Sequence, residues 1–159
     1  RATLALHRFI LPEDFFNHLI DDQVTVLALM PVNISQMFDE GNHRLPSPEL
    51  FDSLKTITSS GGNVTEKMIG DCRRAFPKAQ FYSMHGLTEA FRSTYLDPSQ
   101  VKIRPDSIGK PIPDVELYVI NEQGSECAPR EVGELIHRGG YIYRGFWNFC
   151  KTIFFKIYA

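Results

Sequence analysis

The first half of the chain alternates between two hydrophobic patterns. Residues 24–29, VTVLAL, form a short run that is apolar on both faces, which is typical of a buried parallel strand. Before this run, apolar residues recur at helical spacing after Pro12. A second helical stretch begins at Pro31 and ends at Gly41. The pattern therefore predicts one strand between two helices.

The same alternation continues along the chain. Residues 54–58 and 79–84 are rich in strand-forming residues, and between them Thr65 precedes an amphipathic stretch, which predicts an N-capped helix. Residues 3–10 predict one more strand, and the polar, proline-containing residues 42–53 predict a loop. Strands and helices in regular alternation are typical of an α/β layer with parallel strands and right-handed crossovers.

After residue 90 the pattern changes to short alternating runs separated by glycines and prolines. Residues 115–120 and 133–139 read as strands, and a turn signal at 121–124 follows the first of them. This predicts antiparallel β structure in place of the α/β layer. The predicted fold is α/β, a partial parallel sheet flanked by helices, followed by a small β-rich subdomain. The three segments are an α/β subdomain at 1–107, a β-rich subdomain at 108–148 and an irregular tail at 149–159.

Composition narrows the function classes. The 159 residues are 43% hydrophobic and 23% charged, as in globular proteins, and the formal net charge is −2. Without a basic excess, we predict no nucleic-acid binding. Because no apolar run approaches the roughly 20 residues that span a bilayer, we also predict no membrane insertion. The dispersed cysteines lack zinc-site spacing and are typical of reduced thiols, so we expect a cytoplasmic protein.

Two loops follow predicted parallel strands, at the sheet edge where α/β proteins bind ligands. The first contains Gly61, Gly62 and Asn63. Paired glycines let the backbone approach a ligand closely, and the start of the next helix offers free N–H groups to an anion. A tight turn that requires positive φ explains the same glycines without any ligand.

The second loop runs from His85 to Glu89. The hydroxyl of Thr88 can donate to a phosphate oxygen, and a carboxylate such as Glu89 beside a phosphate calls for a cation such as Mg²⁺ between them. Thr88 as a helix N-cap, with Glu89 in the first helical turn, is the alternative. Chemistry alone leaves both readings open. His85 is either a flat stacking surface or base, or a structural residue.

Four motifs in fixed order resemble the AMP-forming acyl-CoA synthetases of the adenylate-forming superfamily, together with luciferases and peptide-synthetase adenylation domains. They are SSGG, FYSMHGLTEAFRSTYL, SIGKPIPDVELYVINEQG and GELIHRGGYIYRGFWN, and the likeness runs from Leu54 to Asn148. The resemblance implies that a small carboxylic acid reacts with ATP to give an acyl-adenylate. Transfer to the thiol of coenzyme A follows, or loading of a carrier protein if the chain is an adenylation domain.

The resemblance also implies roles for individual residues. Thr88 would contact the α-phosphate and Glu89 would hold Mg²⁺, so these two are the implied catalytic pair. His85 stands where an aromatic residue, often Tyr, stacks on adenine, and Met84 stands where many members have Gly, which predicts a narrower acyl pocket. The implied nucleotide-binding residues are Gly61, Gly62, Asn63, His85, Gly86 and Thr88. The implied acyl pocket contains Gly61, Met84 and Leu87.

Members of that superfamily are several times longer than 159 residues. Their phosphate loop, the Tyr-x-Thr-Gly-Asp stretch and the C-terminal domain with its catalytic Lys have no counterpart in this sequence. We therefore expect an internal fragment that is inactive alone and whose uncovered surfaces favour self-association. A non-catalytic module that binds adenine nucleotides is the alternative.

Overall fold

A computed structural model describes residues 2–7, 11–38 and 45–143. The chain divides into two compact units, residues 1–84 with 96–109 and residues 85–95 with 110–159. The elements in chain order are α1 Pro12–Asp21, β1 Val26–Leu29, α2 Pro31–Phe38, a short 3₁₀ helix Pro48–Phe51, β2 Thr56–Ser59, α3 Glu66–Ala75, β3 Gln80–His85, β4 Thr94–Leu96, β5 Lys110–Pro111, β6 Val115–Ile120 and β7 Glu134–Gly139.

The predicted fold class is confirmed. Within the described residues, β1 to β5 form a mixed five-stranded sheet with flanking helices, and β6 and β7 form a second, small sheet. In the first unit, β1 pairs with β2 and β2 with β3, and both pairs are parallel as predicted. A parallel pair needs a crossover connection, and α2 and α3 lie in the two segments that join these strands.

The core of the first unit lies on one face of its parallel strands. Leu27, Leu29, Ile57 and Phe81 are buried there against apolar residues of α1, α2 and α3. The expectation that β1 is buried on both faces is wrong, because Val26 is 61% exposed. Successive side chains of a strand point to opposite faces, so Val26 lies away from the core even though it is apolar.

Helix α3 begins and ends as its sequence predicts. The Thr65 hydroxyl accepts a hydrogen bond from the Met68 amide at 3.3 Å, which confirms the predicted N-cap. Cys72 is buried on the inner face of the helix, and burial raises the pKa of its thiol to about 12. This cysteine is therefore an apolar packing residue without thiolate chemistry at neutral pH.

Two predictions for the first unit fail. Residues 3–7 form no strand, and residues 8–10 lie outside the described residues, as does Gly41, the predicted end of the second helix. The predicted loop 42–53 contains the 3₁₀ helix Pro48–Phe51. That helix buries Phe51, whose ring meets the Phe76 ring edge-on at a centroid distance of 4.9 Å. A single buried aromatic side chain thus orders a segment that is otherwise polar.

In the second unit, β6 and β7 form the predicted antiparallel hairpin, with Val115 opposite Gly139 and Ile120 opposite Glu134. The predicted turn after β6 is present, since the Gly124 amide donates to the Asn121 carbonyl oxygen at 3.0 Å. The predicted tail, 149–159, lies outside the described residues. None of the helices in the described part of the chain has the length and apolar character that a membrane span requires.

Candidate functional site

The loop after β2 is a turn that needs glycine for its backbone conformation. Gly61 has a φ of +88°, which confirms the turn interpretation at this residue. Its surroundings are not crowded: a methyl group there would lie 3.7 Å from the Met30 side chain, in ordinary van der Waals contact. Gly62 faces Pro31 at a similar separation, 3.4 Å, and Asn63 is exposed. The two glycines therefore leave the exposed backbone of this loop uncovered by side chains.

The residue at the end of β2 carries a feature that the sequence analysis missed. Ser59 is fully buried, and its hydroxyl has no hydrogen-bond partner among the described residues. Buried hydroxyls nearly always have a hydrogen-bond partner. The unpaired Ser59 hydroxyl, two residues before Gly61, is therefore available to a ligand or a water molecule. Strand alternation places Ser59 on the same face as the buried Ile57, but no local pattern shows that its hydroxyl stays unpaired.

The loop after β3 belongs to the second unit and is held much more tightly. The Leu87 amide donates to the Ala90 carbonyl oxygen at 3.0 Å, and the Ala90 amide donates back to the Leu87 carbonyl oxygen at 3.2 Å. A methyl group on Gly86 would lie 2.7 Å from the Ala90 oxygen and closer still to the Arg92 amide nitrogen. Here glycine is required by close backbone approach, and Thr88 and Glu89 form the tip of the turn.

Thr88 does not cap a helix. The described residues after it form a turn and then β4, so the N-cap alternative is wrong. Thr88 is exposed, and the Glu89 carboxylate has no hydrogen bond or ion pair within the described ranges. The Glu89 backbone is fixed, because its carbonyl oxygen accepts from the Tyr143 amide at 2.7 Å. An unpaired carboxylate on an ordered backbone is a suitable oxygen ligand for Mg²⁺.

His85, at the start of this turn, packs beside His137 of β7. Their ring centroids are 6.1 Å apart, and the rings are tilted by 32°. The Nε2 atom of His85 and both ring nitrogens of His137 are buried without a hydrogen-bond partner in the described residues. Burial lowers the pKa of both imidazoles, and the neighbouring His85 lowers the pKa of His137 further. Both rings are therefore neutral at pH 7.

His137 is the second residue that the sequence analysis missed. It lies far along the chain from His85, and the tertiary structure of the second unit brings the two rings together. Ser93 is a third, since its hydroxyl is buried in the same unit and lacks a partner within the described residues. No spacing rule identifies either residue, because each owes its place to tertiary structure.

The structure therefore collects the predicted residues on two turns. The turn after β2, in the first unit, contains Gly61, Gly62 and Asn63. Met84, near the end of β3, also belongs to the first unit. The second turn, in the second unit, carries the remaining predicted site residues. They are His85, Gly86, Leu87, Thr88 and Glu89.

Comparison with known protein families gives a match over residues 2–147 to the family described as AMP-binding enzyme. The chain belongs to the AMP-binding enzyme family. This membership confirms the resemblance drawn from the four sequence motifs. It also gives the two turns a common context, since both lie within the matched range.

Curated members of the family are similar to the chain at modest identity. Indoleacetate–CoA ligase of Aromatoleum aromaticum is 28% identical over 92% of the chain, and the 2-succinylbenzoate–CoA ligase of Bacillus velezensis is 28% identical over 91%. Phenyloxazoline synthase MbtB of a Mycobacterium species is 28% identical over 85%. The chain spans only 28% of the length of each of the two ligases and 11% of the synthase.

Solved structures agree on the fold. The structure of VinN in complex with L-aspartate superposes with a TM-score of 0.72 at 26% identity, over 86% of this chain and 34% of VinN. O-succinylbenzoate coenzyme A synthetase of Bacillus subtilis, bound to the acyl-adenylate OSB-AMP, gives a TM-score of 0.74 at 23% identity. That match covers 91% of this chain and 28% of the synthetase, and at this identity it shows the fold alone.

Proposed function

We propose that this chain is the central part of an AMP-forming ligase that activates a small carboxylic acid with ATP and passes the acyl group to coenzyme A. The observation that carries the proposal is the turn at Thr88 and Glu89. The Thr88 hydroxyl and the Glu89 carboxylate are carried by a hydrogen-bonded backbone. They cap no helix, and neither forms a side-chain hydrogen bond or ion pair within the described residues. Family membership supplies the reaction class in which such a pair acts on a nucleotide.

In the proposed reaction, a carboxylate oxygen of the acid attacks the α-phosphorus of ATP. The bond from that phosphorus to the bridging oxygen breaks, pyrophosphate leaves with its electron pair, and an acyl-adenylate remains. A thiol then attacks the acyl carbonyl carbon and AMP leaves. Negative charge accumulates on the α-phosphate oxygens, so a fixed donor such as the Thr88 hydroxyl stabilises the transition state more than the ground state.

Glu89 is the residue that would hold Mg²⁺. The ion, when bound, neutralises phosphate charge and orients the phosphates. Glu89 contributes to this through its unpaired carboxylate and through the hydrogen bond from the Tyr143 amide to its own carbonyl oxygen, which limits backbone movement. Asp at this position would shorten the side chain that binds the ion, and Gln would remove its negative charge. Of these three residues, only Glu has both the charge and the length.

The family resemblance assigns residues of both turns to nucleotide binding. His85 offers a flat neutral ring for adenine, since burial lowers the pKa of its imidazole. The family resemblance assigns the adjacent Gly86 to the nucleotide as well, and the close approach of the Ala90 and Arg92 backbone fixes its position. By the same resemblance we propose that the turn of Gly61, Gly62 and Asn63 is a nucleotide-binding segment. The unpaired Ser59 hydroxyl beside that turn supports this assignment.

The acyl group would be received by Gly61, Met84 and Leu87, as the family resemblance implies. Met84 is partly buried and longer than the glycine common at this position, so it would restrict the pocket to a short or small acid. A Met84→Gly variant of the complete enzyme should accept longer acyl chains in an acid-panel assay. An unchanged acid profile would contradict this role for Met84.

A second candidate is an adenylation domain that loads a carrier protein. Similarity to phenyloxazoline synthase MbtB and to tyrocidine synthase 2 of Brevibacillus parabrevis, at 28% and 27% identity, favours it. Both candidates share the adenylate-forming half-reaction and differ only in the thiol acceptor. We propose a cytoplasmic location for either, consistent with the buried, reduced Cys72.

Exchange of labelled pyrophosphate into ATP tests the proposal. Because the chain spans 28% of the relatives' length, we expect no exchange above background from the 159 residues alone with any acid of a panel. Clear exchange would contradict the assignment of this chain as an incomplete site. A thermal shift with AMP and Mg²⁺ but no exchange would also fit the non-catalytic binding module, and no shift at all would leave only a structural role.

Self-association of the isolated chain is part of the same proposal. Val26, Met30 and Val32 are more than half exposed, at 61%, 52% and 51%, on and beside the β1 strand. Exposed apolar side chains concentrated in one segment of the chain favour association between copies. Sedimentation velocity should therefore show species larger than the 18.2 kDa monomer, and a single monomeric species across concentrations would contradict this expectation.

A further inference from the structure

A basic cavity lies in the first unit at the opposite end of α3 from the turn of Gly61 and Gly62. Its volume is about 410 Å³. The lining residues come from the second half of α3, from the segment that joins α3 to β3, and from the segment after β4. The basic cavity is lined by Gly70, Arg73, Arg74, Pro77, Ala79 and Lys102.

The basic cavity is separate from the turn of Gly61 and Gly62. Helix α3 starts after Thr65, next to the turn that follows β2, and has 10 residues, which corresponds to a length of about 15 Å. Arg73 and Arg74 lie in its last turn, and Pro77 and Ala79 come just before β3 begins. The cavity is therefore at the edge where the parallel strands start, while the turn of Gly61 and Gly62 is at the edge where they end.

The charge of the cavity lining is one-sided. Three cationic side chains, Arg73, Arg74 and Lys102, border it, and no acidic residue does. In the described part of the chain, Lys67 and Arg74 both pair with the carboxylate of Asp71, so that carboxylate is already neutralised. Arg73 and Lys102 have no ion pair with any described residue. Arg73 and Lys102 are therefore two exposed cations beside one cavity that no described carboxylate neutralises, and an anion held between them would reduce their mutual repulsion.

Helix capping explains only part of this arrangement. Basic residues in the last turn of a helix interact favourably with the helix dipole, and this accounts for Arg73 and Arg74. Lys102 comes from a different segment of the chain, outside any helix, so the sequence of α3 alone does not place this third cation at the cavity.

Gly70 gives a second, independent indication. It lies inside α3, where glycine costs about 1 kcal/mol relative to alanine. No atom lies within 4 Å of the position that a methyl group would occupy, so packing does not require glycine there. Since Gly70 borders the cavity, its missing side chain keeps the cavity open at the expense of helix stability.

We propose that the basic cavity binds a small ligand that carries a diphosphate or more than one phosphate group. Guanidinium groups match phosphate oxygens in paired hydrogen bonds, and a lysine adds a point charge. The volume falls within the range of small-molecule pockets, and the apolar walls at Pro77 and Ala79 leave room for an organic portion. This site does not depend on the proposed ligase function.

Calorimetric titration of the 159-residue chain with inorganic pyrophosphate tests the proposal. We expect saturable binding that weakens as salt is raised. Arg73→Gln and Lys102→Gln should each weaken binding by about tenfold, the equivalent of one lost charge-assisted hydrogen bond. Arg130→Gln removes an equal charge from the second unit, outside the cavity, and should change the affinity by less than about twofold.

The Gly70→Gln variant distinguishes binding of pyrophosphate inside the cavity from non-specific binding to a positively charged surface. The variant fills the cavity without changing charge, and it should raise the thermal stability of the chain while weakening pyrophosphate binding about fivefold or more. Lost binding in a more stable protein cannot come from unfolding. Unchanged binding in Gly70→Gln, or in a variant carrying both Arg73→Gln and Lys102→Gln, would overturn the proposal.

Two further outcomes would also overturn it. If Thr88→Val abolished pyrophosphate binding, the ligand would be at the candidate adenylate site and not in the basic cavity. If a polyglutamate peptide bound and pyrophosphate did not, the cations would form a surface for an acidic polypeptide. Absence of AMP binding would contradict the proposed ligase function but not the proposal that the basic cavity binds phosphate groups. The two proposals can therefore be disproved independently.

Discussion

The loops after β2 and β3 resemble each other in sequence and differ in physical character. Each follows a parallel strand and contains a glycine and then a threonine. After β2, Gly61 is required by its φ of +88°, and Thr65 caps a helix. After β3, Gly86 is required by the closeness of the Ala90 and Arg92 backbone, and Thr88 caps nothing.

The difference shows where the chain uses polar residues for folding and where it does not. The Thr65 hydroxyl satisfies an amide that would otherwise be unpaired at the start of α3. Thr88 and Glu89 satisfy no described group, yet their backbone is held by hydrogen bonds on both sides of the turn. Polar side chains that are ordered without a structural task are the ones that a ligand-based function explains.

The largest expected effect comes from Gly86→Ala. The added methyl group meets backbone atoms that cannot rotate away, so we expect a loss of about 3 kcal/mol in the free energy of unfolding, measured by urea denaturation. Gly140→Ala is the matched control in the same unit, since no atom lies within 4 Å of its new methyl group. Equal stability of the two variants would contradict the close approach at Gly86.

Gly61→Ala should have an intermediate effect of about 1–2 kcal/mol, because a Cβ atom is strained at positive φ while Met30 remains in ordinary contact. Gly61→Asn should lose less, since asparagine tolerates this conformation better. Gly62→Ala, without positive φ, is the control and should be close to neutral in the same denaturation experiment. A larger loss for Gly62→Ala than for Gly61→Ala would show that crowding, and not φ, determines this loop.

The two threonines provide a smaller and more specific contrast. Thr65→Ala should cost about 1 kcal/mol through loss of the N-cap. Thr88→Ala should cost less than about 0.5 kcal/mol, as surface substitutions without a structural partner do. Circular dichroism melts of both variants measure the difference. A Thr88→Ala loss as large as that of Thr65→Ala would show that the second turn depends on its hydroxyl for folding.

The smallest expected effect is a pH dependence that belongs to the second unit. Because burial lowers the pKa of His85 and His137 below the usual 6.5, the unfolded chain binds more protons than the folded chain at mildly acidic pH. Stability should therefore rise with pH through this range and be lost as the pH falls below about 6.5. Melting temperatures between pH 7.5 and 5.5 should fall less steeply in His137→Leu. An identical slope in that variant would contradict the buried pair.

Much of the fold follows from sequence periodicity. The strand–helix alternation, the Thr65 cap and the β6–β7 hairpin are set by local patterns that persist in the structure. The errors have one cause in common: a local sequence pattern does not show which residues other elements of the folded chain bury. An apolar run does not reveal that Val26 lies on the face away from the core, and a polar stretch hides the single buried ring of Phe51.

The site was predictable in part for the same reason. Thr88 and Glu89 stand out because a hydroxyl and a carboxylate follow a strand, and motif order connects them to a family. That Gly86 needs to be glycine depends on the approach of Arg92, and His137 lies beside His85 only in the folded second unit. Such contacts are formed by the folded chain and have no signature in either local sequence.

The central claim, that the ordered turn of Thr88 and Glu89 is a nucleotide-phosphate and Mg²⁺ contact, is tested most directly by calorimetric titration of the chain with AMP. We expect binding that strengthens when Mg²⁺ is added, loss of that strengthening in Glu89→Gln, and weaker binding by about tenfold in Thr88→Val, with unfolding stability unchanged in both. Absence of AMP binding to the folded chain, or binding that neither variant alters, would contradict the claim.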